Sequence, residues 1–181
     1  TFCPDIIAYP VKTEALNPWN MKEALEFAEK ATAVVIGGGL ERSRPSLDFV
    51  NSFLERNTRP AVIDADAIAA VSERTTVLKN LHLVTPHSRE FELLTGIKPS
   101  TQVKERADAV QKAAKRLGCA ILLKGHVDII SDGKDVFLNR TGNPCMTKGG
   151  TGDTLAGIAG ALLSRGIPPL DAGSCAAYIN G

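Results

Sequence analysis

Short runs of β-branched residues and leucine alternate along this chain with stretches whose apolar side chains recur every three or four positions. Ala33-Val34-Val35-Ile36-Gly37, Ala61-Val62-Ile63-Asp64, Leu81-His82-Leu83-Val84-Thr85 and Cys119-Ala120-Ile121-Leu122-Leu123-Lys124 read as buried strands. Each is mostly apolar and ends in glycine or a polar residue, the pattern of a parallel sheet covered on both faces. Ile129-Ile130 and Val136-Phe137-Leu138 flank Ser131-Asp132-Gly133-Lys134, which predicts a hairpin with an Asp-Gly turn at one margin of the sheet.

Helical patterns fill the intervals. Met21 to Ala31 follows Asn17-Pro18, with Asn20 as the expected N-cap. Pro45 to Arg56 carries Leu47, Val50 and Leu54 on one face, and Ser88 to Thr95 stops at Gly96. Thr101 to Leu117 places Ala107, Val110, Ala114 and Leu117 on one stripe and ends at Gly118. Thr151 to Arg165 is rich in Ala and Gly, and a last helix starts near Pro169. Without an internal repeat or a Pro/Gly/Ser linker, residues 1–181 read as one α/β layer domain.

Composition narrows the partners. The chain has 181 residues, 44% hydrophobic and 23% charged, enough for one sizeable core. Lys plus Arg is 21 and Asp plus Glu 20, a formal net charge of +1, so no basic footprint for nucleic acid is expected. The longest strongly apolar uncharged run, Thr154 to Ser164, is 11 residues. A membrane-spanning helix needs ~20. Cys3, Cys119, Cys145 and Cys175 form no CxxC pair, so free thiols and a cytoplasmic setting are expected. No secretory or transit segment is expected before Thr1, and the chain reads as open at both ends.

Ligands of open parallel sheets sit at the carboxyl ends of the strands. Those ends are Gly37-Gly38-Gly39, Asp64-Ala65-Asp66, Thr85-Pro86-His87 and Lys124-Gly125-His126. The strongest chemical signal is Asn143-Pro144-Cys145-Met146-Thr147-Lys148-Gly149-Gly150-Thr151-Gly152-Asp153, running into the Ala/Gly helix. Glycines around Thr151 leave backbone N–H groups open to an anion, and the helix turns its positive end toward the same spot. A carboxylate at Asp153, beside a held phosphate, is repelled unless it has work such as taking a hydroxyl proton. The bland alternative is a glycine turn with an acid that favours the helix N-terminus.

The segment Gly149-Gly150-Thr151-Gly152-Asp153 resembles the anion hole and catalytic base of the ribokinase-like superfamily. The longer string Asn139 to Gly157 is similar to one family within it, the ADP-dependent NAD(P)H-hydrate dehydratases, carbohydrate-kinase-like enzymes of nicotinamide repair. Val84-Thr85-Pro86-His87 with Glu90, Leu122-Leu123-Lys124-Gly125, Asp64-Ala65-Asp66-Ala67 and Val35-Ile36-Gly37-Gly38-Gly39-Leu40 match further motifs in the family's order. Three positions depart: Gly38 stands for a usual Pro, Glu41 for a usual Gly and Cys145 for a usual Gly. The family's opening strand, Gly-Gly-Ser turn and Ala/Gly helix have no counterpart, so the domain reads as lacking that segment and the C-terminal end.

The resemblance implies a three-layer αβα sandwich with a mostly parallel sheet and a marginal hairpin. It implies a carbon–oxygen lyase that uses ADP, with Mg2+, to restore (6S)-hydrated NADH or NADPH, releasing AMP and phosphate. Asp153 would be the base, and Gly150, Thr151 and Gly152 the anion hole. Gly39, His87 and Asp153 would bind the substrate, and Lys124, Gly125, His126, Val127, Asp128 and Gly152 the nucleotide. Glu90 would reach magnesium through water or else cap its helix. Gly39 has a second reading as a turn needing positive φ, and His87 as a histidine hydrogen-bonded at its helix start. Asp64 and Asp66 could face a ribose or a water-bound metal, but an Asx turn with Asp66 as N-cap keeps them off the candidate site. Asn143 would steady the loop before the anion hole, and His82 and the cysteines would be structural. Expected partners are the hydrate and ADP, with neither nucleic acid nor membrane. A homo-oligomer, a tetramer being one form, and an epimerase partner or fused domain are also implied. Two rivals stand beside this reading: an ATP-dependent kinase of hydroxymethylpyrimidine or hydroxyethylthiazole type, and a non-catalytic nucleotide-binding domain that regulates a partner.

Overall fold

Four parallel strands and an antiparallel hairpin form the sheet of the computed structural model, which describes residues 7–11, 13–142 and 148–181. The strands are β1 (Val34–Ile36), β2 (Ala61–Ile63), β3 (His82–Val84), β4 (Ala120–Leu123), β5 (Asp128–Ser131) and β6 (Val136–Asn139), side by side in chain order. β1 to β4 pair in parallel, and β5 runs antiparallel to both β4 and β6. The helices are α1 (Met21–Lys30), α2 (Arg44–Arg56), α3 (Asp66–Glu73), α4 (Ser88–Thr95), α5 (Val103–Leu117), α6 (Thr151–Ser164) and α7 (Pro169–Asn180). The expected hairpin is present at the margin. The Asp132 carboxylate accepts from the Lys134 and Asp135 amides, and Gly133 takes φ 93°.

Strand alternation sorts the core into two clusters. Ile63, Val84, Ile121, Leu123 and Ile129 face α1 to α5 with Phe49, Phe53, Leu54, Ile68 and Phe91. Val62, Leu83, Ala120, Leu122 and Ile130 face α6 and α7 with Leu155, Ala159, Leu163, Ala172 and Ala176. This is the expected αβα sandwich, with α6 against β1 and β2 and α7 against β3 to β6. Small residues let the second layer lie close. A Cβ on Gly160 would run into Val35 Cγ2, and one on Gly173 would stand 3.1 Å from Leu83.

Three local expectations need correction. β1 was expected to be buried, but Val35 is 48% exposed, because β1 is an edge strand with β2 as its partner among the described residues. An apolar groove of about 390 Å3 runs beside it, lined by Tyr9, Val11, Phe27, Val34, Val35 and Phe53 among others. None of the predicted site residues lines it. Asn20 stands at the N-cap position of α1 as expected, but its side chain makes no capping bond to that helix. Its Oδ1 accepts from Thr13 Oγ1 and from the Asn17 amide, and Asn17 caps the preceding turn. The Asx turn with Asp66 as cap gives way to Ala65 as N-cap of α3, at φ 47°, with Asp66 already in the first turn and paired with Arg42. Among the described residues, no helix is long and apolar enough to cross a membrane.

Candidate active site

Parallel pairing ends β1 to β4 on one edge, and the backbone stitches those ends together beyond the strands. The Asp64 amide donates to Ile36 O, the Thr85 amide to Ile63 O and the Lys124 amide to Pro86 O. The three residues following β2, β3 and β4 are thereby held in register. Gly37 closes the β1 end at φ 140°, and a Cβ there would overlap the Asp64 carbonyl, so only glycine permits this approach.

The side chains converge as well. Asp64, buried, accepts on Oδ1 from Lys124 Nζ at 2.8 Å and from Thr85 Oγ1 at 2.7 Å. Lys124 keeps part of its side chain in contact with solvent. The first turn of α6 comes down on this pair: a Cβ on Gly152 would lie 3.8 Å from both Asp64 Oδ2 and Lys124 Nζ. Asp153 Oδ1 reaches toward the end of β1, 3.0 Å from where a Gly38 Cβ would stand. Its carboxylate is exposed and takes no hydrogen bond within the described residues. Gly150 is the N-cap of α6 at φ 94°, and its carbonyl accepts from the Thr154 amide and hydroxyl, while Thr151 Oγ1 donates to Lys148 O. First-turn amides have no carbonyl partner within their own helix, so this end offers donors and a positive dipole to an anion.

Sequence reasoning thus named Lys124, Gly152 and Asp153, which the fold brings together, and Gly150 and Thr151, which start the same helix. It left out Asp64, which lies at the centre. The signal was present, an acid at the end of a buried strand, but the capping explanation for Asp64-Ala65-Asp66 was equally good locally.

The remaining predicted residues divide. Gly39 has φ 73°, as its turn reading requires, and open space where a Cβ would be, which leaves room for a close ligand. His87 follows the β3 end as N-cap of α4, its Nδ1 accepting from the Arg89 and Glu90 amides. Glu90 returns the contact, accepting from the His87 amide at 2.8 Å with its other oxygen 3.2 Å from His87 Nε2. The capping alternatives for both residues are therefore built in full, a reciprocal capping box.

After β4, Gly125 and His126 are exposed, Val127 is buried, and the Asp128 carboxylate is occupied by the Gly125 amide and Asn139 Nδ2. Asp128 therefore shapes this loop. Arg106 of α5 lies beneath it, where a Cβ on Gly125 would strike its guanidinium at 2.6 Å, and burial pushes its pKa down while Asp128 opposes the shift. Nothing in the sequence near Lys124 pointed to Arg106, which comes from the preceding helix.

Among the described residues, no group of three or more His, Cys, Asp or Glu side chains is arranged to hold a metal ion. Asn143 and Cys145, with Pro144, Met146 and Thr147, lie outside the described residues, as does Cys3. Cys119 and Cys175 are free thiols; burial pushes the Cys119 pKa up to about 12, which keeps it inert.

A family model described as NAD(P)H-hydrate dehydratase matches residues 1–181. The chain is 40% identical over 180 residues to the bifunctional NAD(P)H-hydrate repair enzyme Nnr of Pyrobaculum aerophilum, covering 98% of this chain and 36% of that protein. It is 37% identical over 182 residues to the ADP-dependent (S)-NAD(P)H-hydrate dehydratase of Nitrosopumilus maritimus, covering 98% and 62%. Its fold matches the ADP/ATP-dependent NAD(P)H-hydrate dehydratase of Bacillus subtilis, co-crystallised with ATP and Mg2+ and soaked with CoA. That match has a TM-score of 0.68 and 29% identity, over 86% of this chain and 59% of that one. The chain therefore spans 36% to 62% of the length of the two sequence relatives.

Proposed function

The chain belongs to the NAD(P)H-hydrate dehydratase family, and from that premise we propose that it carries the ADP-dependent dehydration of hydrated NADH and NADPH. The hydroxyl on the damaged nicotinamide ring attacks the terminal phosphorus of ADP. The bridging bond to AMP breaks, and AMP leaves with that electron pair. The ring C–O bond then breaks with phosphate as the leaving group, and loss of a ring proton restores the dihydronicotinamide. Hydroxide leaves poorly and phosphate well, so phosphoryl transfer solves the chemical problem, and it needs mainly positioning and charge stabilisation.

The observation that carries this reading is the place of Asp153. A solvent-open carboxylate, uncommitted to hydrogen bonds in the described structure, stands on the first turn of a helix that lands on Lys124. Asp153 takes the hydroxyl proton, and the amides of Gly150, Thr151 and Gly152 hold the transferred group. Lys124 meets the nucleotide phosphates, with Gly125, His126, Val127 and Asp128 forming the loop beside them, the last two as its frame. Gly39 and His87 border the nicotinamide.

Mg2+ fits this site as a companion of the nucleotide, since it takes few protein ligands and keeps several waters. When bound it neutralises phosphate charge. Glu90 would meet it through water, on lone pairs left free by the capping box. The free thiols support work in the cytoplasm. The relative named as bifunctional supports a fused or partnering epimerase, and we extend the proposal to a homo-oligomer.

Incubation with hydrated NADH and ADP tests the reaction. The expected result is recovery of reduced-nicotinamide absorbance with AMP and phosphate released. A stable phosphorylated product would favour the kinase reading, and ADP binding without any product the regulatory one. Asp153→Asn is expected to slow turnover by about 10^2 to 10^4 while sparing ADP binding. An unchanged rate would remove Asp153 as the base.

A further inference from the structure

We propose that Asp64 is a positioning residue for the nucleotide: its carboxylate anchors the Lys124 ammonium at the first turn of α6, so that an arriving phosphate meets a cation already in place. This rests on the nucleotide reading above. A lysine on an exposed loop swings through many rotamers, and each phosphate contact must first stop that motion. Here the stem leaves β4 and its ammonium is tied to Asp64 Oδ1, 60 residues earlier in the chain. Among the described residues one of its three ammonium donors is used, which leaves two to offer an anion.

The anchor is itself fixed. Thr85 Oγ1 donates to the same Oδ1, which sets the carboxylate rotamer. The Asp64 amide is bound to β1 and its carbonyl accepts from Ala67, so the backbone cannot follow the side chain. Ala65 turns the chain from Asp64 into α3 at φ 47°, a conformation that non-glycine residues hold only where the surroundings enforce it. Asp64 Oδ2 lies on the Gly152 side, where it confines the ammonium between the carboxylate and the helix end. Asp64, Thr85 and Lys124 each follow a different strand and Gly152 lies in the first turn of α6, and no pair of them is adjacent in sequence.

The mechanism predicts energetic coupling, which a purely structural carboxylate would not show. ADP affinity is measured by calorimetry for the parent, Asp64→Asn, Lys124→Met and the double variant, with folding checked by thermal melting. Asp64→Asn is expected to weaken ADP binding about tenfold, the scale of a charge-assisted hydrogen bond. In the Lys124→Met background the same change is expected to have no further effect. Thr85→Val should weaken ADP binding in the same way but less, about threefold, because it acts on Lys124 only through the Asp64 rotamer, and it carries the same cycle should Asp64→Asn not fold. The proposal is overturned by parent-like affinity in Asp64→Asn, or by an undiminished penalty without Lys124. The cycle uses no turnover, so a parent that binds ADP yet leaves the hydrate unchanged fails the proposed reaction, not the anchoring. A parent that binds no ADP removes the nucleotide reading and this inference with it.

Discussion

The two faces of the sheet are covered by different materials. On one, α1 to α5 press Phe49, Phe53, Leu54, Ile68 and Phe91 against the strands. On the other, α6 and α7 present Ala156, Ala159, Gly160, Ala172, Gly173, Ala176 and Ala177. Large side chains bury more apolar area per residue and supply most of the hydrophobic driving force. Small ones let helix backbone approach the sheet, which is why Gly160 touches Val35 and why the first turn of α6 reaches Asp64 and Lys124. The thick face serves cohesion, and the thin face sets where a helix end falls.

The sharpest way to break that division is to damage each face and read both stability and ADP affinity. Phe91→Ala empties a fully buried ring from the thick face. It is expected to lower unfolding free energy by about 3–5 kcal/mol while the folded fraction keeps its ADP affinity. A large loss of affinity at full folding would mean the faces are not separable.

Acid should weaken the thick face in a defined window. His82 lies at the start of β3, next but one to Val84 and so on the thick-face side, fully buried, its Nδ1 accepting from the Lys79 amide and its Nε2 without a hydrogen-bond partner among the described residues. Burial, with the Lys79 cation adding to it, lowers its pKa from 6.5 to about 4. The unfolded chain therefore binds the proton first. The contribution is complete above pH 6.5, falls as pH drops toward 4, and levels off below that. The change is roughly 3 kcal/mol across the window. Denaturant titrations of the parent and His82→Asn over this range check it: the variant should lose this part of the pH slope.

The smallest stability effect is expected on the thin face, with the larger consequence for ligand. Gly160→Ala forces a methyl group against Val35, whose own exposure gives it room to move, so the cost should be about 1–3 kcal/mol. Because the same helix carries Gly152 and Asp153 one end away, ADP affinity should fall several-fold by isothermal calorimetry. Unaltered affinity would show that the helix end holds its place by other contacts.

The same contrast explains what was legible in the sequence. Local signals were sufficient for the four apolar runs, the Asp-Gly hairpin, and the stops at Gly96 and Gly118, both left-handed C-caps. The exposure of β1 was not legible, since edge position is decided by pairing and not by the apolarity of Val34-Val35-Ile36. Helix α3 has only eight residues, and its start at Ala65 uses a backbone conformation that alanine does not advertise. At the site, Asp153 and Lys124 stood out through motif and resemblance. Asp64 did not, because its meaning lies in a register that sets residues 60 positions apart side by side.

The order of the strands has a consequence for biosynthesis. Because β1 to β6 lie in the sheet as they occur in the chain, each new strand docks beside one already made, with no gap held open for a later arrival. A polypeptide emerging from the ribosome can finish its large-residue layer through α5 before Thr151 is synthesised. The helix that brings Asp153 and the first-turn amides of α6 is then added onto a platform whose strand tips are already laced, so the corner proposed as the active site is assembled after the strands it rests on.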